Sequence, residues 1–122
     1  MGFFNFSSEP KETLNWSNIT SVEMLEEVYS NSENKPNLFF KHSTRCSISS
    51  MALNGFERNW NKESACNLYF IDLIAHRDVS NKLAELSGIT HQSPQAIVVL
   101  ADQIIYSASH SGIDANEIES RI

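Results

Sequence analysis

Cysteine is scarce in this chain. Cys46 and Cys66 are the only two among 122 residues, too few for the disulfide framework of a small secreted scaffold. They are also too few to ligate zinc alone. His42, His76, His91 and His110 could supplement them, but no Cys-x-x-Cys or His-x-x-x-His spacing occurs, so no metal site is expected. Basic side chains are short in supply as well. Nine Lys and Arg against 15 Asp and Glu leave a formal charge of −6, which opposes a polyanionic partner, because phosphate binding needs clustered cations. Nucleic acid is therefore excluded as the expected ligand. There is no apolar run long enough to span a membrane and no basic, then apolar, signal segment at the start. Phe6 stands where a myristoylation pattern needs Ser or Thr. Three Asn-x-Ser/Thr sites, at Asn5, Asn15 and Asn18, are what an asparagine-rich sequence produces by chance. The expectation is a cytoplasmic protein with reduced thiols, no membrane partner and no nucleic-acid partner.

What is present is enough apolar residue, 41%, for one domain with a hydrophobic core. Residues 1–13 show no sustained period and read as a flexible N-terminal arm, leaving 14–122 as the domain. Leu14, Trp16 and Ile19 alternate with polar residues, as in a short half-buried strand. Ser21 looks like an N-cap for a helix running to about Ser32, with Val22, Leu25 and Val28 on one face. Glu23, Glu26 and Glu27 form its solvated side. After a polar turn holding Pro36, the run Leu38-Phe39-Phe40 predicts a buried central strand. Ile48, Met51, Ala52 and Phe56 recur at helical spacing, so a helix begins near Cys46. Leu68, Phe70, Ile71 and Leu73 make a third strand, and a helix from about Asp78 carries Val79, Leu83 and Leu86 and stops at Gly88. Ile97 to Leu100 is a fourth strand, joined through Ala101-Asp102-Gln103 to Ile104-Ile105-Tyr106 as a hairpin. A short helix ends the chain near Arg121. The order β-α-β-α-β-α-β-β-α predicts an α/β fold with a mixed sheet and helices on both faces.

The chemistry sits at one handover from strand to helix. In Cys46-Ser47-Ile48-Ser49 the sulfur is expected at a helix N-terminus, where unpaired N–H groups, Arg45 and the nearby Lys41 and His42 favour the thiolate. Thiolate is the attacking species in thiol-disulfide exchange. Ser49, one turn on, takes the place of the second cysteine of a dithiol enzyme, and its hydroxyl can only hydrogen-bond. The motif is Cys-x-x-Ser. A small buried cysteine is the plain alternative, but Ser43, Thr44, Arg45 and Ser47 flank Cys46 with polar groups and argue for exposure. Cys66, in a linker before a strand, reads as structural. Ser93-Pro94 precedes the fourth strand, where proline ordinarily marks an edge or turn. His42 and His91 read as hydrogen-bonded structural residues, Asp78 as a helix cap, and Phe39, Phe40, Tyr69 and Phe70 as core.

The sequence resembles the monothiol bacilliredoxins, the bacillithiol system redox-active proteins of the thioredoxin superfamily. The resemblance covers residues 20–115. It is carried by His42-Ser43-Thr44-Arg45-Cys46-Ser47-Ile48-Ser49, by Arg77-Asp78-Val79-Ser80-Asn81, by His91-Gln92-Ser93-Pro94-Gln95, and by Ser109-His110 with Ile113. Where the family pattern has Pro after the cysteine and Trp after the last His, this chain has Ser47 and Ser111. The resemblance implies a thioredoxin-like three-layer α/β/α fold in which Pro94 is cis and faces the cysteine. It implies Cys46 and Ser49 as the catalytic pair of positions and Thr44, Arg45, Ser47, Ser93 and Pro94 as substrate contacts. The implied activity is reduction of mixed disulfides between S-thiolated client proteins and a low-molecular-weight thiol, bacillithiol first, which acts as co-substrate with no bound cofactor or metal. A peptide-binding module near Pro94 and a one-cysteine redox sensor are the alternative readings.

Overall fold

The computed structural model describes residues 14–122, so the expected N-terminal arm lies outside the described residues. Five strands and four α-helices follow the order expected from the sequence: β1 (Ser17–Asn18), α1 (Val22–Ser30), β2 (Asn37–His42), α2 (Ser47–Asn59), β3 (Asn67–Asp72), α3 (Arg77–Ser87), β4 (Gln95–Leu100), β5 (Gln103–Ser109) and α4 (Ala115–Glu119). A single 3-10 turn, His110–Gly112, precedes α4. The strands form one mixed sheet in the order β1-β3-β2-β4-β5, in which the β1–β3 and β3–β2 pairs are parallel and the β2–β4 and β4–β5 pairs antiparallel.

β2 is the central strand, and every one of its residues is buried. Side chains alternate across a strand, so Leu38 and Phe40 enter the core beneath α2 and α4, with Phe56, Trp60, Ala115 and Ile118. Phe39 enters the opposite core with Leu25 of α1 and Val79 and Leu83 of α3. The two cores are the two outer interfaces of a three-layer α/β/α stack. Each fully buried Leu, Ile or Phe in them contributes about 1.5–3 kcal/mol.

The helix limits follow local chemistry. Ser21 caps α1 by accepting the Met24 N–H at 3.1 Å. Gly88 ends α3 with φ of 73°, the left-handed conformation that glycine adopts without strain. Ala101 and Asp102, both at positive φ, make the tight β4–β5 turn.

Several expectations need correcting. β1 is only two residues long: Leu14 and Ile19 are buried on either side of it without being part of the strand. Asp78 is not the α3 cap. The N-cap position is His76, and the Asp78 carboxylate accepts the Val79 N–H inside the first turn. On α2 the buried stripe is Ser49, Phe56 and, beyond the helix end, Trp60, whereas Ile48 and Met51 are 58% and 72% exposed. Of the expected stripe Phe56 is buried and Ala52 half-buried, because packing on the sheet turns the helix toward Ser49, Phe56 and Trp60. Tyr69 and Phe70 are half-buried, while Phe39 and Phe40 are wholly enclosed.

Candidate active site

Two chain crossings meet at one end of the sheet. β2 ends at His42 and leads into Cys46; β4 begins at Gln95, directly after Pro94, and the antiparallel register pairs Lys41 with Gln95. The segment 43–46 and the loop ending at Pro94 therefore leave the sheet side by side. The Ser93–Pro94 peptide is cis. Its neighbour across the hairpin is the 3-10 turn, where His110 donates its N–H to the Pro94 carbonyl at 3.0 Å.

Cys46 is the N-cap residue of α2. Its backbone is extended, at φ −114° and ψ 121°, its N–H is held by the Ser43 carbonyl at 3.1 Å, and its carbonyl accepts the Ser50 N–H at 3.1 Å. The side chain makes no capping bond, so the sulfur is left beside first-turn N–H groups that have no intrahelical acceptor. Cys46 is a free, half-buried cysteine, flanked by the exposed Thr44, Arg45 and Ser47. These polar neighbours hold it at the surface, as their sequence suggested.

Ser49 is fully buried. Its Oγ lies 2.8 Å from His42 Nδ1 and accepts the Ser43 N–H at 3.1 Å, which ties the loop before the cysteine to the first turn of α2. Burial holds His42 below the ordinary histidine range, against the opposing pull of the Asp72 and Glu57 carboxylates. The ring is therefore neutral at physiological pH. With the proton on Nε2, the Ser49 hydroxyl donates to Nδ1 while receiving the Ser43 N–H, and both partners are satisfied. Ser49 thus shapes the loop that presents Cys46.

Lys41 does not join the cysteine as the sequence suggested. It belongs to the Phe39 side of β2, is fully enclosed, and places Nζ 3.2 Å from His91 Nδ1. A period-of-two reading of Leu38-Phe39-Phe40-Lys41-His42 would have separated it from His42, which sits on the Cys46 side. Sequence reasoning also missed the His42–Ser49 pair, because the two residues meet only once strand and helix are packed together. In the neighbouring loop the Ser93 hydroxyl oxygen is buried without a hydrogen-bond partner among the described residues, and Pro94 is buried next to it.

Cys66 lies at the other end of the sheet, before the start of β3. Parallel β2 and β3, six residues each, put about 20 Å of strand between the two cysteines, far beyond the Cα separation that a disulfide permits. Its thiol donates to the Asn67 carbonyl at 3.4 Å, and burial pushes it up to about 12. It is a structural thiol. Among the described residues no group of three or more His, Cys, Asp or Glu side chains could hold a metal ion, and no helix is long and apolar enough to cross a membrane.

Comparison with known proteins agrees with this arrangement. A solved structure described by its thioredoxin fold superposes with a TM-score of 0.75 at 24% identity, covering 87% of this chain and 92% of its own. Thioredoxin NaTrxh from Nicotiana alata gives 0.71 at 15% identity over 94% and 96% of the two chains. A thioredoxin from Trypanosoma brucei brucei gives 0.68 at 11% identity over 88% and 87%. At these identities the likeness establishes the thioredoxin fold alone. The sequence profile of monothiol bacilliredoxin BrxC matches residues 17–118, a span that contains every element from β1 to α4 except the last residue of that helix. The protein is a thioredoxin-like thiol-disulfide oxidoreductase and belongs to the monothiol bacilliredoxin BrxC family.

Proposed function

We propose that this chain reduces mixed disulfides between client-protein cysteines and a low-molecular-weight thiol, with bacillithiol as the first candidate, and that it does so with Cys46 alone in the cytoplasm. The observation that supports this reading most is the state of position 49. A dithiol enzyme resolves its mixed disulfide with a second sulfur one helical turn from the first. Here that place is a buried serine engaged by His42 and Ser43, and the other cysteine is a strand length away.

The reaction follows from one sulfur. Cys46 thiolate attacks the sulfur of the small thiol in its disulfide with the client. The old S–S bond breaks, the client leaves as a thiolate that takes up a proton, and a new disulfide joins Cys46 to the small thiol. A second thiol, acting as reductant, attacks this adduct and returns Cys46 to its reduced form. That second thiol leaves as a disulfide with the small thiol while Cys46 departs as thiolate, so Cys46 carries the electron pair only between steps and the two thiols supply it over the cycle. Arg45, next to Cys46 in the chain, is exposed. Thr44 and Ser47 border the approach, and the backbone of Ser93 before the cis Pro94 is the surface offered to the incoming disulfide.

Release of bacillithiol, and in parallel glutathione, from a modified client tests the proposal. The native chain and Cys66→Ser should release the adduct, and Cys46→Ser should not. Release that survives loss of Cys46, or absence of release by the native chain with either thiol, rejects the reading.

A further inference from the structure

Lys41 is the one charged side chain among the described residues that is wholly buried. Lysine is almost never fully enclosed unless it is paired with an opposite charge. No carboxylate accepts from it: the ion pairs of the described residues involve Lys82 and Arg121 instead. Its partner is a neutral ring nitrogen, His91 Nδ1 at 3.2 Å. The same nitrogen lies 3.1 Å from the hydroxyl of Ser80, itself fully buried on α3. A well-packed apolar residue at position 41 would stabilise the core at least as well, so stability does not account for the lysine.

What the lysine does reach is the loop between α3 and β4. His91 stands two residues before Ser93. The loop is also gripped by Gln95, the cross-strand partner of Lys41, whose Nε2 donates to the Thr90 carbonyl at 3.0 Å. Two paired strands therefore hold the loop, β2 through Lys41 and β4 through Gln95. We propose that Lys41 is a positioning residue for the exchange reaction: acting through His91, it fixes the loop that carries Ser93 and Pro94 as the wall opposite Cys46. This inference rests on the exchange activity proposed above.

The charges around the pair suit this role. The groups facing His91 are Lys41 from β2, Ser80 from α3 and Arg77 from the start of α3. Burial first, then the two cations, keep the ring neutral. With the proton on Nε2, a neutral ring presents one Nδ1 lone pair, which Lys41 and Ser80 share as donors. Lys41 in turn is held down to about 8 by burial. Its bond to His91 is charge-assisted while the ammonium persists and weaker once the amine forms. The loop is thus held most firmly below that pH.

The test pairs Lys41→Met, which keeps the bulk and removes the donor, with His91→Asn and His91→Leu. Asparagine can place an acceptor near Nδ1; leucine cannot. Lys41→Met and His91→Leu are expected to raise KM for the S-thiolated client so that kcat/KM falls about tenfold, the scale of a slightly misplaced substrate wall. His91→Asn is expected to recover most of that loss. Alkylation of Cys46 by iodoacetamide should be unchanged in all three, since Lys41 lies on the other face of the sheet. The alkaline limb of the native rate profile near pH 8 should vanish in Lys41→Met. Backbone amide shifts of Gln92 and Ser93, followed by NMR, should titrate with that midpoint in the native chain and not in Lys41→Met. This reading stands apart from turnover: a native chain without exchange activity rejects the function, whereas amides that fail to titrate reject the lysine's role. Unchanged KM and pH profile in Lys41→Met, or equal exchange by His91→Asn and His91→Leu, overturns the inference.

Discussion

Ser49 and His42 form a buried pair, with Oγ 2.8 Å from Nδ1, and the same oxygen receives the Ser43 N–H. The residue three places after the nucleophile thus belongs to the scaffold that holds the nucleophile. This explains how a Cys-x-x-Ser motif can keep the geometry of a dithiol motif without its second sulfur.

Replacing Ser49 by Ala leaves the Ser43 N–H and the His42 ring nitrogen without their partner. The expected cost is about 1–3 kcal/mol of stability, the range for stranding buried polar groups. Urea denaturation of the two proteins measures it. Equal midpoints would show that neither bond matters to the loop.

The two cysteines should react very differently in the native state. Iodoacetamide near neutral pH is expected to label Cys46 and spare Cys66, whose thiol is buried and pushed up to about 12. In urea both should react. Peptide mapping of the labelled chain reads the outcome, and native labelling of Cys66 would contradict its enclosed position.

Much of the fold is legible in the sequence because it rests on local signals. Ser21 as cap, Gly88 as stop, the apolar run at Leu38 and the hairpin at Ala101-Asp102 each act through a few neighbouring residues. The site is legible only in part. Cys46 at a helix start follows from strand-to-helix succession. The His42–Ser49 and Lys41–His91 contacts do not, since they join residues that only the packed sheet brings together. The inward face of α2 is set the same way: Phe56 of the expected stripe is buried, while packing on the sheet leaves Ile48 and Met51 of that stripe exposed.

That split within the expected stripe has an energetic signature. Phe56→Ala, in the core against Trp16, Phe40 and Trp60, should cost about 3–5 kcal/mol. Met51→Ala, 72% exposed, should stay within about 0.5 kcal/mol of native. Denaturation midpoints read both, with Phe56→Ala as the reference for a buried position, and a large loss at Met51 would restore the stripe suggested by periodicity.

Stability should depend on pH at both ends of the range. An unfolded histidine takes up a proton near 6.5, whereas burial keeps native His42 and His91 neutral to lower pH. The unfolded state then binds more protons, so stability present above 6.5 is lost as the pH falls below it. Lys41 acts in an alkaline window. Between about 8 and 10.5 the native amine has lost a proton that the unfolded chain keeps, so its contribution rises with pH. Cys66 opposes this from 9.0 to about 12, where the unfolded thiol ionises and the native one does not. The difference between the native chain and Lys41→Met isolates the lysine: it should shift in favour of the native chain as the pH rises through that window, and a pH-independent difference would contradict the assignment.

The account depends most on Cys46 acting as the sole exchanging sulfur. Its most direct test is intact-mass and peptide-mapping mass spectrometry of the reduced protein after mixing with a client carrying one bacillithiol per chain. The predicted result is a single small-thiol adduct on the Cys46 peptide, a client freed of its modification, and no adduct in Cys46→Ser. An adduct on Cys66, or a client that keeps its thiol while Cys46 stays unmodified, would contradict it.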